Sequence, residues 1–308
     1  MQTLWYLARL FISLGLGAFI SSRIGKHRFH RITARSLDLI LYSLLFLMGV
    51  NTAQIPDIGN RIMHMGVEAM LGALLASAGC VITARLLGFV VNRRVSPVER
   101  VRQGITWERL KTPLMMISIV CAGILAAATT PLFDWFDGSM ITLILYALLF
   151  LVGMQMVQHE VDLVPLLKSP MMVLLPLSTV LGTYLGASAL PLFTPYTLNE
   201  SFALVSGFGW YSLSGVLISS LGDAQLGAVS FLSNLFRESL SFILIPLLAT
   251  LSHASSAAIS IAGATSMDVT LPLLKKSLGD SVVPLAISHG VIMTLLAPFL
   301  IPLWLFPG

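Results

Sequence analysis

Ten stretches of this 308-residue chain are long and apolar, and that feature decides the solvent in which it folds. They run at roughly 3–22, 37–54, 65–91, 113–132, 140–157, 170–192, 201–220, 226–250, 258–274 and 282–304. A helix crosses the hydrocarbon core of a bilayer in about 20 mostly apolar residues. Hydrophobic residues make up 56% of the chain and charged residues only 10%, and the mean hydropathy is +0.89. A water-soluble domain of this length has no core large enough to hide that surface. The expected fold is therefore all-α: a polytopic integral membrane bundle in contact with lipid. Stretches 201–220 and 258–274 are rich in Gly and Ser and read as broken or re-entrant, so eight to ten crossings are expected.

The positive charge sits between the spans. The net charge is +4, but the Lys and Arg residues lie in loops without interleaved aromatics, so a nucleic-acid partner is not expected. Arg23, Lys26, Arg28, Arg31 and Arg35 follow the first apolar stretch, the reverse of the charge order in a signal peptide. The positive-inside rule places this cluster in the cytoplasm and the N-terminus outside. Arg93, Arg94, Arg100, Arg102, Arg109 and Lys111 fall on the same side two spans later, as do Lys168 and the Lys275–Lys276 pair. The loops at 133–139, 193–199 and 251–257 contain no Lys or Arg, which suits the outside; Arg61 is the exception. The C-terminus is expected outside as well. Cys80 and Cys121 lie within apolar stretches without metal-ligand spacing, so neither a disulfide nor a metal or other cofactor is expected.

Residues 39–50 read LILYSLLFLMGV and residues 143–154 read LILYALLFLVGM, with nine of the twelve positions identical. The shared Tyr42/Tyr146, Phe46/Phe150 and Gly49/Gly153 weigh more than the leucines. One copy is in the second span and the other in the fifth, so they run in opposite directions. That is the signature of an inverted-topology repeat, which secondary transporters often contain. The chain divides accordingly into an N-terminal region, 1–192, built from about 1–91 and 112–192 joined by the basic loop 92–111, and a C-terminal region, 193–308.

Ionisable groups at membrane depth are costly and mark function. Glu238 lies mid-span in SNLFRES, with Asn234 four residues earlier on the same face and Arg237 about 100° away around the helix. Asp268 lies in GATSMDVTLP, where Gly263 and Pro272 interrupt the helix and Thr265 and Ser266 supply hydroxyls. A third polar stretch, SGFGWYSLSG at 206–215, carries Trp210, Tyr211, Ser212 and Ser214. These ten residues are the candidate substrate or ion ligands. A structural ion pair from Arg237 to Glu238 or Asp268 is an alternative use of the arginine. Asp38 and Glu68 lie near span ends, where water is within reach, and carry no such expectation.

GFGWYSLSG at 207–215, the Arg237–Glu238 pair and GATSMDVTLP at 263–272, together with the duplicated LILY span, resemble the bacterial lysine exporter family. The resemblance covers essentially the whole chain and is densest in its last 110 residues. It implies an efflux permease of the cytoplasmic membrane for L-lysine and close analogues. It also implies that Glu238 and Asp268 are the functional intramembrane acids, and it departs from the family at Asn234, where relatives carry Asp. Lysine has two ammonium groups and one carboxylate, so it needs acids for the former, and Arg237 or a helix N-terminus for the latter. Export of a cation runs against the interior-negative potential, about 2.3 kcal/mol per charge per 100 mV. The chain has no Walker-type phosphate loop, so protons are the expected coupling ion, in antiport. A cation/proton antiporter or organic-acid symporter of similar architecture is the alternative. An enzyme is not expected, since the two acids sit in dissimilar contexts and neither HExxH nor GxSxG is present.

Overall fold

A computed structural model of the chain describes residues 2–24, 30–91, 107–133, 138–158, 170–251 and 255–305. Lys26, Arg28, Arg93, Arg94, Arg100, Arg102, Asp134, Asp137 and Lys168 lie outside the described residues, as do the side chains of Arg109 and Lys111.

Among the described residues there are helices and no strands. The first six helices are α1 (Gln2–Ile24), α2 (His30–Ala53), α3 (Ile58–Val90), α4 (Trp107–Thr129), α5 (Gly138–Gln158) and α6 (Pro170–Ala187). Then follow the short α7 (Leu198–Val205) and α8 (Tyr211–Ser220), the long α9 (Ala224–Ala249), the short α10 (Ser255–Ala262) and α11 (Leu271–Leu278), and the long α12 (Val283–Leu305). Five of the long segments, α2, α3, α6 with its extension, α9 and α12, suffice by length and composition to cross a membrane, and α4 and α5 carry shorter apolar stretches. Leu74, Ile82 and Leu86 on α3 and Leu181 and Leu185 on α6 are exposed, as lipid-facing side chains are.

The first six helices pack as a repeat. Gly17 of α1 backs onto the carbonyl of Phe150 in α5, and Gly153 of α5 onto that of Leu14. Gly123 of α4 meets Phe46 in α2 in the same way, and Gly49 meets Val120. Exchanging α1, α2, α3 for α4, α5, α6 maps each contact onto its counterpart. The third pair, α3 with α6, maps onto itself: Gly79 meets Gly182, while Gly186 lies against Leu75 and Thr83 donates to the carbonyl of Ser178 at 2.9 Å. With no hydrophobic drive between helices in lipid, association depends on such close backbone approach, and small residues permit it.

Side-chain contacts fix the helix directions. Residues 75, 79 and 83 of α3 meet 186, 182 and 178 of α6, so these helices are antiparallel. Arg61, Gly72 and Cys80 meet Gln225, Ser233 and Arg237, so α3 and α9 are parallel. Thr179 and Tyr184 of α6 bond to His289 and Trp304, so α6 and α12 are parallel. The end of α6 and the start of α9 therefore lie at one end of the bundle, and the end of α9 and the start of α12 at the other. The segments between them turn back. The α7–α8 hairpin has both feet at the α9 start: Tyr196, just before α7, donates to Glu68 at 2.6 Å and meets Gln225, while Asp223, just after α8, caps α9 through the amide of Leu226 at 2.8 Å. The α10–α11 hairpin has both feet at the opposite end, so Leu251 and Ser255 lie at the end of Lys275 and Lys276 and not on the other side, where the lack of Lys and Arg at 251–257 would place them. Among the described residues, stretches 201–220 and 258–274 thus turn back as hairpins, and the long helices α1–α6, α9 and α12 run the length of the bundle.

The local sequence explains both hairpins. A capping box between Thr197 and Glu200 starts α7, and SGFGW unwinds it. The backbone at Phe208 and Gly209 is left-handed, with φ of 50° and 93°. In the second hairpin α10 tightens into a 3-10 turn over Gly263–Met267, with Gly263 at φ 60°. The two tips meet in the interior, where the Ala264 amide donates to the carbonyl of Phe208 at 2.9 Å. Gly263 packs so closely on that carbonyl that it has no room for a side chain.

Candidate functional site

A cavity of about 290 Å³ lies beside the hairpin tips. One wall is the C-terminal region: Gly209, Trp210, Tyr211 and Ser212 from the first tip, Ala264, Thr265, Met267, Asp268 and Val269 from the second, Glu238 from α9 and Thr294 from α12. The other wall is Leu37, Asp38 and Leu41 of α2, Met116 of α4, and Leu148, Val152 and Gln155 of α5. Its reach to the start of α2 and the end of α5 directs it toward the bundle end from which the α10–α11 hairpin enters.

Glu238 is buried at 3% exposure, and its Oε2 has no hydrogen-bond partner. Nothing among the described residues bonds to this oxygen, and it stands in the wall of a cavity. Asp268 is exposed to the cavity, and its Oδ1 accepts from the amide of Val269 at 2.5 Å. Among the described lining residues there is no Lys, Arg or His. The first-turn amides of α8, at Tyr211 and Ser212, have no intrahelical acceptor and lie at the same wall.

Of the ten residues singled out in the sequence, six line the cavity: Glu238, Asp268, Trp210, Tyr211, Ser212 and Thr265. Four stand behind it. Asn234 holds the first hairpin: its Oδ1 accepts from the Gly209 amide at 2.9 Å, and its Nδ2 donates to Leu204 O at 3.0 Å, Ser230 O at 2.9 Å and Ser214 Oγ at 3.1 Å. Ser214 is thereby part of that clamp. Ser266 donates to Ala286 O at 2.8 Å and meets His289 Nδ1 at 3.2 Å.

Arg237 points away from the acids. The ion pair allowed by the sequence, from Arg237 to Glu238 or Asp268, is not formed; the described ion pair is Lys275–Asp280, at the surface. The Arg237 guanidinium donates instead to Thr183 Oγ1 at 3.1 Å, to the carbonyls of Ser260 at 3.2 Å and Ile261 at 3.5 Å, and to Cys80 Sγ at 3.6 Å. It also lies 5.9 Å from the Phe208 ring centroid. A cation on the last carbonyls of α10 satisfies acceptors that a broken helix leaves free.

Asp38, Gln155 and Thr294 line the cavity but carried no expectation. Asp38 is the one with a sequence signal: the aligned position in the second repeat copy is Thr142, so the acid is peculiar to one copy.

The family model described as "Lysine exporter LysO" matches residues 117–305. The lysine exporter LysO of Escherichia coli (strain K12) is 29% identical over 286 residues, covering 88% of this chain and 90% of that protein. A protein of Haemophilus influenzae named "Putative lysine exporter" is 36% identical over 170 residues, 54% of this chain and 86% of that one. No solved structure matches the chain. The family model takes in α5, α6, both hairpins, α9 and α12, with every cavity-lining acid except Asp38, and this multi-pass membrane protein belongs to the lysine exporter family.

Proposed function

We propose that the chain exports L-lysine and close analogues across the bacterial cytoplasmic (inner) membrane, in exchange for protons, with both termini outside. The observation that carries this reading is the unpartnered Oε2 of Glu238 in the cavity wall. A carboxylate oxygen shut away from donors costs free energy, and an ammonium group held against it offsets that cost. Glu238 and Asp268 receive the two ammonium groups of lysine. The substrate carboxylate faces the free amides at the start of α8, where the helix dipole favours an anion. Trp210 and Tyr211 flank the aliphatic stem, and Ser212 and Thr265 offer hydroxyls. Arg237, Asn234, Ser214 and Ser266 act from behind, by holding the tips in place. In this division of labour 193–308 carries the hairpins and acids, and 1–192 frames them.

A carboxylate holding an ammonium group has no free charge for a proton, and a protonated one gives up its ammonium partner. Alternation between these two states at Glu238 or Asp268 couples lysine leaving to protons entering. The same acid-lined cavity, with no cation among its described lining residues, disfavours an organic acid as cargo.

The test is uptake of radiolabelled lysine by everted membrane vesicles under an imposed pH gradient. Wild type should take up lysine and lose uptake when the gradient is collapsed. Glu238→Gln and Asp268→Asn, at equal expression, should each lower the rate at least about a hundredfold, the scale of losing one buried charge-assisted contact. Lysine flux indifferent to the gradient would remove the proton from the mechanism. Sodium flux without lysine flux would favour a cation/proton antiporter.

A further inference from the structure

Glu238 and Asp268 suffice for the two ammonium groups of lysine, yet the cavity holds a third acid. Asp38 lies in the third turn of α2, on the wall opposite the hairpins, and is exposed. Among the described residues it has no ion-pair partner, although Arg35 precedes it by one turn on its own helix. No cation lines the cavity among the described residues, so the charge of Asp38 acts on whatever enters. On the far wall Glu238 Oε2, nine-tenths buried and unpartnered, marks where a cationic ligand ends its path.

We propose that Asp38 is a loading site: the ligand for an ammonium group of lysine as it enters from the cytoplasm, before the deeper acids take it. This rests on the export reading above. Two features assign the role. An acid at the mouth of a cavity with low-dielectric walls raises the local concentration of cations and speeds their capture. Asp38 also belongs to α2, whereas Glu238 and Asp268 belong to α9 and the second hairpin. Any movement that closes the cavity on this side must change the distance between the walls. Asp38 therefore serves the cytoplasm-open state only, whereas Glu238 and Asp268 serve both. Its counterpart in the other repeat copy, Thr142, carries no charge, so the other side has no equivalent from this position.

The proposal predicts an asymmetry. In everted vesicles, where lysine approaches from the cytoplasmic face, Asp38→Asn should raise KM about tenfold, the loss of one solvated charge-assisted contact, with kcat within about twofold of wild type. Asp38→Glu should restore KM. In right-side-out vesicles loaded with unlabelled lysine, half-saturation by external labelled lysine should be the same for wild type and Asp38→Asn. An unchanged cytoplasmic KM, or an equal loss on both faces, would overturn the loading role. Absence of lysine flux in the wild type would instead overturn the export reading.

Discussion

The two neighbours Arg237 and Glu238 are a lesson in helix geometry. Separated by about 100°, they serve opposite sides of α9: the arginine caps α10 from behind, and the acid faces the cavity. Asn234, one turn before Glu238, was expected on the acid's face, but the loop of the first hairpin lies over it and takes all its hydrogen-bonding capacity. A side chain so used should matter for stability before it matters for affinity. Asn234→Ala leaves the Gly209 amide without its acceptor, while the Leu204 carbonyl keeps the Ser230 hydroxyl at 2.7 Å, a cost of about 1–3 kcal/mol for one buried group. The expected result is a clearly lowered thermal unfolding temperature in detergent. Asn234→Asp, which keeps the Oδ1 acceptor but faces three acceptors with its other oxygen, should fall between the two. Asp38 carries no functional weight in the sequence, because nearness to a span end usually means easy solvation. Here the cavity itself reaches the span ends, a fact of three-dimensional packing that no local window contains.

At the scale of elements, the glycines and serines in 201–220 and 258–274 disclosed that these segments are interrupted. They could not disclose the outcome, because a broken crossing and a hairpin share the same local chemistry. The decision is made by distant partners: Tyr196 with Glu68 and Gln225 at one end, and α12 running parallel to α6 at the other. The hairpin tips are joined by a backbone hydrogen bond and by the close packing of Gly263 on Phe208, which gives a graded test. Gly263→Ala places a methyl group on the Phe208 carbonyl in addition to forcing a left-handed alanine. It should cost at least about 1–3 kcal/mol and abolish transport with both acids intact. Gly209→Ala also strains the backbone, at φ 93°, but makes only a van der Waals contact, to Ala262 O at 3.5 Å, so without a clash it should be the milder variant in flux.

For the whole molecule, the apolar stretches and the paired LILY spans already pointed to a lipid-embedded bundle with a duplicated half. The self-consistent glycine contacts of α1–α6 are how that duplication looks in space. The topology yields a sharp prediction. In a variant whose native Cys80 and Cys121 are replaced by serine, a single cysteine at Gly222, in the turn between α8 and α9, should react with a membrane-impermeant maleimide from outside. It should match a control at Ile55, in the turn between α2 and α3. Ten full crossings would put residue 222 inside and shield it.

The short hairpins also carry an electrical consequence. The first legs, α7 and α10, have eight residues each, about 12 Å of helix, against a hydrocarbon core of about 30 Å. Where the cavity admits water on one side, the insulating layer at this point is not the bilayer but the two tips and what packs on them. The transmembrane voltage then drops over that thin septum, not over the full thickness. A lysine moving a short way past Phe208 and Gly263 would meet most of the 2.3 kcal/mol per 100 mV that opposes its exit. The voltage sensitivity of export is expected to reside in that one displacement, with loading at the cavity mouth almost blind to membrane potential.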